Sequence, residues 1–212
     1  MYEKVFKRLF DLACAIPALV LLAPGMAAIA IAVRIAMGTP VLYRQARPGW
    51  RERSFILVKF RTMLPEIGAN GCVRSDTERL TPLGVFLRAT SLDELPELWN
   101  IVRGDMSLVG PRPLLERYLP FYSPLERRRH DVRPGLTGWA QINGRNDLDW
   151  DTRLALDVWY VEHMSFALDL QAVLKTITAV AFRRGVHLDP LLESSLDDVR
   201  RTAVVGAPAD GQ

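Results

Sequence analysis

Cysteine is scarce here. Only Cys14 and Cys72 occur in 212 residues, with no CxxC and no Cys/His cluster, which argues against a disulfide framework or a structural zinc site. The scarcity fits a soluble part facing a reducing compartment. Aromatics are also few, at 8%, and do not interleave with a basic stripe, so no nucleic-acid partner is expected. There is no Walker A loop, no HExxH and no paired GxGxxG, so nucleotide or zinc chemistry by those routes is unsupported. His130, His163 and His187 lie at no ligand-like spacing and are expected to be surface or structural residues. What the chain does have is an ordinary globular composition, 49% hydrophobic and 24% charged, long enough for one good-sized core. Its 27 Lys and Arg against 24 Asp and Glu give a net charge of +3 and a pI near 9.1. That balance suits an acidic partner such as a phosphate ester or an anionic membrane surface.

Residues 12–33, LACAIPALVLLAPGMAAIAIAV, carry no charge. As a straight helix this run would be roughly 33 Å long, enough to cross a hydrocarbon core of about 30 Å. Pro17 and Pro24 interrupt it, each removing a backbone donor. The break at Ala23-Pro24-Gly25 leaves two arms roughly 18 Å long, too short to span but long enough to enter and return. Lys4, Lys7 and Arg8 precede the run and Arg34, Arg44 and Arg47 follow it, so both flanks read as cytoplasmic. A re-entrant hairpin, a kinked transmembrane helix and a buried core helix all remain open. Arg8 and Asp11, three apart, are spaced to pair at the interface.

Beyond residue 40, short apolar pieces alternate with Pro, Gly and charge. Residues 40–50 and 54–63 predict two strands around a turn at Pro48 and Gly49. Residues 92–103 predict a helix with Leu95, Leu98, Trp99 and Val102 on one face. Residues 113–131 suggest helical pieces broken by Pro120 and Pro124. Residues 150–163 and 168–184 predict two more helices, the second apolar-striped and suited to core or membrane interface. From residue 187 a weakly ordered tail is expected.

Asp93 and Glu94 stand side by side in SLDELPELWN. Ser91 to Glu94 matches a capping box, which would make both carboxylates helix-start residues, although Pro96 fits better if the helix begins near Asp93. The alternative is chemical. Arg88 precedes the pair, Arg112 follows between two prolines on stiff backbone, and GRN at 144–146 adds Arg145. Arginine binds phosphate bidentately, and glycine turns let amides approach it closely. One carboxylate in such surroundings can attack phosphorus and the other can hold Mg²⁺ against a pyrophosphate.

KFRTM at 59–63, DELPELWN at 93–100, RGDMSLVGPRP at 103–113 and RPGLTGWAQINGR at 133–145 resemble the bacterial sugar transferases, the monotopic polyprenol-phosphate phosphoglycosyl transferases. The likeness covers residues 1 to about 186. The opening and the length look like the small branch that includes the initiating enzyme of bacterial N-linked protein glycosylation. The resemblance implies transfer of a sugar 1-phosphate from a UDP-sugar to undecaprenyl phosphate with release of UMP, at the cytoplasmic face of the inner membrane. It implies Asp93 as nucleophile carrying the phosphosugar, Glu94 as Mg²⁺ ligand, a re-entrant helix broken at Pro24, and a lean toward a diacetylated bacillosamine donor. Lys59, Arg88, Arg112 and Arg145 are then the expected phosphate or uridine contacts, with Asp105 and Asp169 as candidates to hold an arginine. Two positions depart from the pattern. Ala23 replaces a frequent Ser before the breaking proline, and Glu97 replaces a common Gln, adding a charge one turn from Asp93.

The expected fold is mixed α/β, mainly helical. It comprises a re-entrant membrane helix over 1–38, a catalytic domain over 39–186 with short strands and interfacial amphipathic helices, and the tail over 187–212. The rival functions are a membrane-surface binding protein without catalysis and a phosphatase of lipid pyrophosphate.

Overall fold

The computed structural model describes residues 5–67, 72–144, 148–181 and 195–205. Arg145 and His187 lie outside them. The fold is mixed α/β and mostly helical, with small sheets.

The long apolar run forms helix α1, Lys7–Met37, assigned as helical through both Pro17 and Pro24. It is long and apolar enough to cross a membrane by length and composition. Its two ends are fastened to the rest of the protein. At the start, Arg8 donates to the carbonyls of Ile101 (2.6 Å) and Val102 (2.9 Å) in the last turn of helix α4 (Glu97–Arg103), where carbonyls run short of helical partners. Asp11 Oδ1 accepts from Ser107 Oγ and the Leu108 amide, both at 2.9 Å. Arg8 and Asp11 therefore cap neighbouring backbone, and no ion pair between them is among the contacts. Lys7 is buried and donates to Asp169 at 2.5 Å and to Tyr160 at 3.1 Å. At the far end, Val33 and Met37 pack with Leu87, and Arg61 donates to the Met37 and Thr39 carbonyls. Between the two ends Ile16, Val20, Leu21, Leu22 and Ile31 are exposed.

Strands β1 (Leu42–Pro48) and β2 (Ser54–Phe60) pair antiparallel, Lys59 opposite Tyr43, as their sequence predicts. Helices α2 (Asp76–Arg79) and α3 (Pro82–Ala89) follow, then a 3₁₀ turn at Leu92–Glu94 and α4. Asn100 joins α4 to β2. It is fully buried, and its side-chain amide donates to the Ile56 carbonyl (2.8 Å) and accepts from the Val58 amide (3.1 Å), taking the place of a strand partner. Leu98 and Ile101 bury beside it with Ala15, Leu57 and Met106. Trp99, expected on the same face, is instead 51% exposed.

Strand β3 (Ser107–Val109) pairs in parallel with β4 (Gly135–Thr137). Gly110 and Gly135 press backbone on backbone here: a Cβ on Gly135 would fall on the Gly110 amide nitrogen, and one on Gly138 on the Gly110 carbonyl. These motif glycines bring the two long blocks together and are not open phosphate cradles.

Between β3 and β4 lie a 3₁₀ segment, Glu116–Phe121, then α5 (Pro124–Arg127) and a 3₁₀ turn at Arg128–Asp131. Pro120 sits inside the first, and Pro124 starts α5 under a Ser123/Glu126 capping box. Helix α6 (Trp139–Ile142) precedes α7 (Trp150–His163), which matches its predicted span, and α8 (Phe166–Ala181). Helix α8 buries Asp169 and Ala172 and exposes Phe166, Leu170, Leu174 and Ile177, a stripe at helical spacing. Within the stretch expected to be a weakly ordered tail, Leu196–Val205 forms helix α9. Leu196 is buried against Leu114, Tyr118, Tyr122 and Leu154, and Arg200 pairs with Glu126 at 2.7 Å.

Candidate active site

The helix-cap reading of SLDELPELWN does not survive the geometry. Ser91 adopts a left-handed backbone, φ +55°, and makes no side-chain cap bond. Pro96 is the N-cap of α4, where its missing amide loses nothing. The Glu94 carboxylate is engaged elsewhere. Its Oε1 accepts from Lys59 Nζ and from Arg112 Nη2, each at 2.6 Å. Capping boxes do occur, but at Ser75/Glu78 and Ser123/Glu126.

Three separated elements build this cluster. The turn at Leu92–Glu94 supplies Asp93 and Glu94. Strand β2, clamped by Asn100, supplies Lys59. The segment after β3 supplies Arg112, whose carbonyl accepts from Arg129 Nη2 at 2.7 Å. Arg129 is itself buried and paired with Asp157 at 2.7 Å. Arg88 is held by a hydrogen bond to Thr62 Oγ1 at 3.0 Å. Lys59, Arg88 and Arg112 thus gather around the two carboxylates; each lowers the proton affinity of Asp93. Sequence reasoning missed the supports: Asn100, Thr62, Arg129 and Asp157. Asn100 lies inside a quoted motif, but its role depends on a strand some forty residues away.

Asp93 is largely buried. Burial first, and the Glu94 charge second, push its carboxyl up to about 6, with Lys59, Arg112 and Arg88 pulling the other way. Glu94 goes in the opposite direction. Burial would raise it, but Arg112 and Lys59 more than offset that and hold it well below the usual carboxylate range. Two adjacent carboxyls are thereby split into one basic enough to react and one fixed as an anion. The rise at Asp93 traces to burial and Glu94. Glu97, one turn on, faces Lys59 at 3.0 Å.

The remaining candidates lie apart. Asp105 is 3.5 Å from Arg103, whereas Asp169 holds Lys7 rather than an arginine. His163 stacks on Trp159 at 4.4 Å on the surface. His130 is buried, and its imidazole is pushed down to about 3, chiefly by that burial and then by the Arg129 charge.

A helix long and apolar enough to cross a membrane thus packs on a body that holds an adjacent carboxylate pair, Asp93 buried and Glu94 partly so, among Lys59, Arg88 and Arg112. A sequence profile of the bacterial sugar transferases matches residues 2–183, and the chain belongs to that family. It is 47% identical to the uncharacterized sugar transferase EpsL of Bacillus subtilis, over 86% of this chain and 91% of that protein. It is 41% identical to the exopolysaccharide production protein ExoY of Rhizobium meliloti, over 85% and 88% respectively. With the undecaprenyl-phosphate galactose phosphotransferase of Salmonella typhimurium it shares 38% identity over 87% of this chain, but spans only 42% of that longer protein.

Proposed function

We propose that this protein transfers a sugar 1-phosphate from a UDP-sugar to undecaprenyl phosphate, releasing UMP. The observation that carries the reading is the split carboxylate pair: Asp93 raised and reactive, Glu94 pinned between Lys59 and Arg112. In the first half-reaction an Asp93 carboxylate oxygen bonds to the sugar-proximal phosphorus, and the bond to the bridging oxygen breaks with its electron pair leaving on UMP. In the second, a phosphate oxygen of the lipid attacks the same phosphorus and returns Asp93 as carboxylate. Lys59, Arg88 and Arg112, with Arg145 from sequence, compensate the charge of the diphosphate.

A Mg²⁺ ion fits this chemistry on one condition. Among the described residues no group of three or more candidate ligands exists. Glu94 Oε1 is engaged twice, so Glu94 would offer its second oxygen, and the diphosphate would complete the coordination, as is usual for this cation. When bound, the ion would neutralise pyrophosphate charge.

The anchoring of α1 supports a re-entrant placement. Ala15 and Val33 would be about 27 Å apart on a straight helix. Both are buried against the catalytic body, with Ala18, Leu19 and Ile29 partly so, while Val20, Leu21 and Leu22 on the stretch between them are exposed. A bend at Pro24 dips that stretch into one leaflet and returns it, leaving the body on the cytoplasmic face of the inner membrane. The exposed stripe on α8 suits the same interface.

The test is UMP release by the purified protein in nanodiscs with Mg²⁺ and a panel of UDP-sugars led by galactose and glucose, with and without undecaprenyl phosphate. Lipid-dependent UMP that disappears in Asp93→Asn supports the reading. Inorganic phosphate as product would point to the phosphatase, and no product with any sugar would sink transfer.

A further inference from the structure

Lys59 serves two carboxylates on unequal terms. Its ammonium is 2.6 Å from Glu94 Oε1 and 3.0 Å from Glu97 Oε1. Glu94 has Arg112 as a second cation. Glu97 has none: among the described residues its single ion pair is with Lys59. Glu97 Oε1 is buried, and Lys59 is the cation that faces it at close range. Glu97 is only 2% exposed, so water does not replace a partner it loses. Arg47 from β1 and Arg112 from the segment after β3 face it at longer range, and Glu94 from the preceding turn opposes it.

An arriving diphosphate competes for the cations that hold Glu94 and Glu97. Glu94 can release Lys59 and keep Arg112. Glu97 cannot release Lys59 and stay charged, because an unpaired buried carboxylate is far more costly than a neutral carboxyl. We propose that Glu97 takes a proton from solvent when an anionic substrate draws Lys59 toward itself, so that nucleotide binding is coupled to uptake of a proton. The Glu97 carboxylate becomes a carboxylic acid, and Lys59 keeps its own three protons and turns to the phosphate. The proposal rests on the reading that a UDP-sugar occupies this site. Glu97 is poised for the change: burial, reinforced by Glu94 and opposed by Lys59 and Arg112, already raises its carboxyl to about 7.

The experiment is calorimetric titration of UDP with Mg²⁺ into the full-length protein in detergent at pH 8, in three buffers of different ionisation enthalpy. At this pH the ligand's phosphates are ionised, their last pKa being about 6, so uptake has a protein source. The expected result is a buffer-dependent heat equivalent to about one proton bound. In Glu97→Gln the heat of binding should remain and the buffer dependence vanish. Lys59→Met is the second arm, since Glu97 without its cation already carries the proton, and uptake should vanish with the carboxyl in place. A binding heat independent of buffer in the parent protein overturns the coupling and leaves the transferase reading intact. Uptake that persists in Glu97→Gln overturns it too and assigns the proton to Asp93. No binding heat in the parent overturns both the coupling and the occupancy of the site by a nucleotide.

Discussion

Arg129 donates through Nη2 to the backbone carbonyl of Arg112 at 2.7 Å, so one buried arginine fixes the strand of chain from which another faces Glu94. Arg129 is held in turn by Asp157. Removing Asp157 strands a buried guanidinium. Asp157→Ala is expected to cost about 3–5 kcal/mol of stability and to lower transfer by misplacing Arg112. Denaturant melts beside initial rates check this, and an unchanged melt would remove Asp157 from the argument.

The Asn100 amide stands in for a strand edge. Asn100→Leu keeps the branched shape but leaves the Ile56 carbonyl and Val58 amide unpaired, a loss of about 1–3 kcal/mol for each buried group. Because this bond sets Lys59 above the carboxylates, turnover should fall even where the variant remains folded. The separation is read by measuring rate and thermal unfolding on one preparation.

Ser91 holds φ +55° directly before the reactive pair. Glycine adopts that conformation freely and valine does not. Ser91→Gly is expected to retain activity, whereas Ser91→Val should lose about 1–2 kcal/mol and most of its rate. Equal behaviour of the two variants would show that the left-handed turn does not matter.

Acid should act on the protein at two places. Asp93 reacts as its carboxylate, so the transfer rate should fall as pH drops through about 6, and a plateau down to pH 4.5 would contradict the role of Asp93. His130 acts on stability. Its folded pKa, about 3, lies below its ordinary 6.5, so between those values the unfolded chain binds a proton that the native state refuses. Stability should therefore be full above pH 6.5 and decline as pH falls toward 3, at up to about 1.4 kcal/mol per pH unit. His130→Gln should flatten that slope.

The β1–β2 hairpin and α7 were legible because period and turn residues are local signals. Asp93, Glu94, Lys59 and Arg112 were legible through their motifs and Arg88 through its place just before the pair, and they converge. The Ser91 to Glu94 spacing misled because a capping box and a charged turn share one sequence pattern, and only Lys59 and Arg112, distant in the chain, decide between them. Trp99 was placed inward because it shares a helical face with Leu95 and Leu98, yet Asn100, a polar residue, took the buried position by pairing with β2. Gly110, Gly135 and Gly138 lie in the long motifs, but only the parallel pairing of β3 and β4 shows that their backbones meet each other. Helix α9 escaped notice because its polar sequence gives Leu196, which is fully buried, no local emphasis.

That helix bears on where the folding unit ends. The family profile stops at residue 183, and a gene trimmed there would look complete by motif. It would also uncover Leu114, Tyr118, Tyr122 and Leu154, leaving Glu126 without Arg200. Such a product would expose a sticky aromatic patch in addition to its long apolar helix, and it would be prone to aggregate through two surfaces at once.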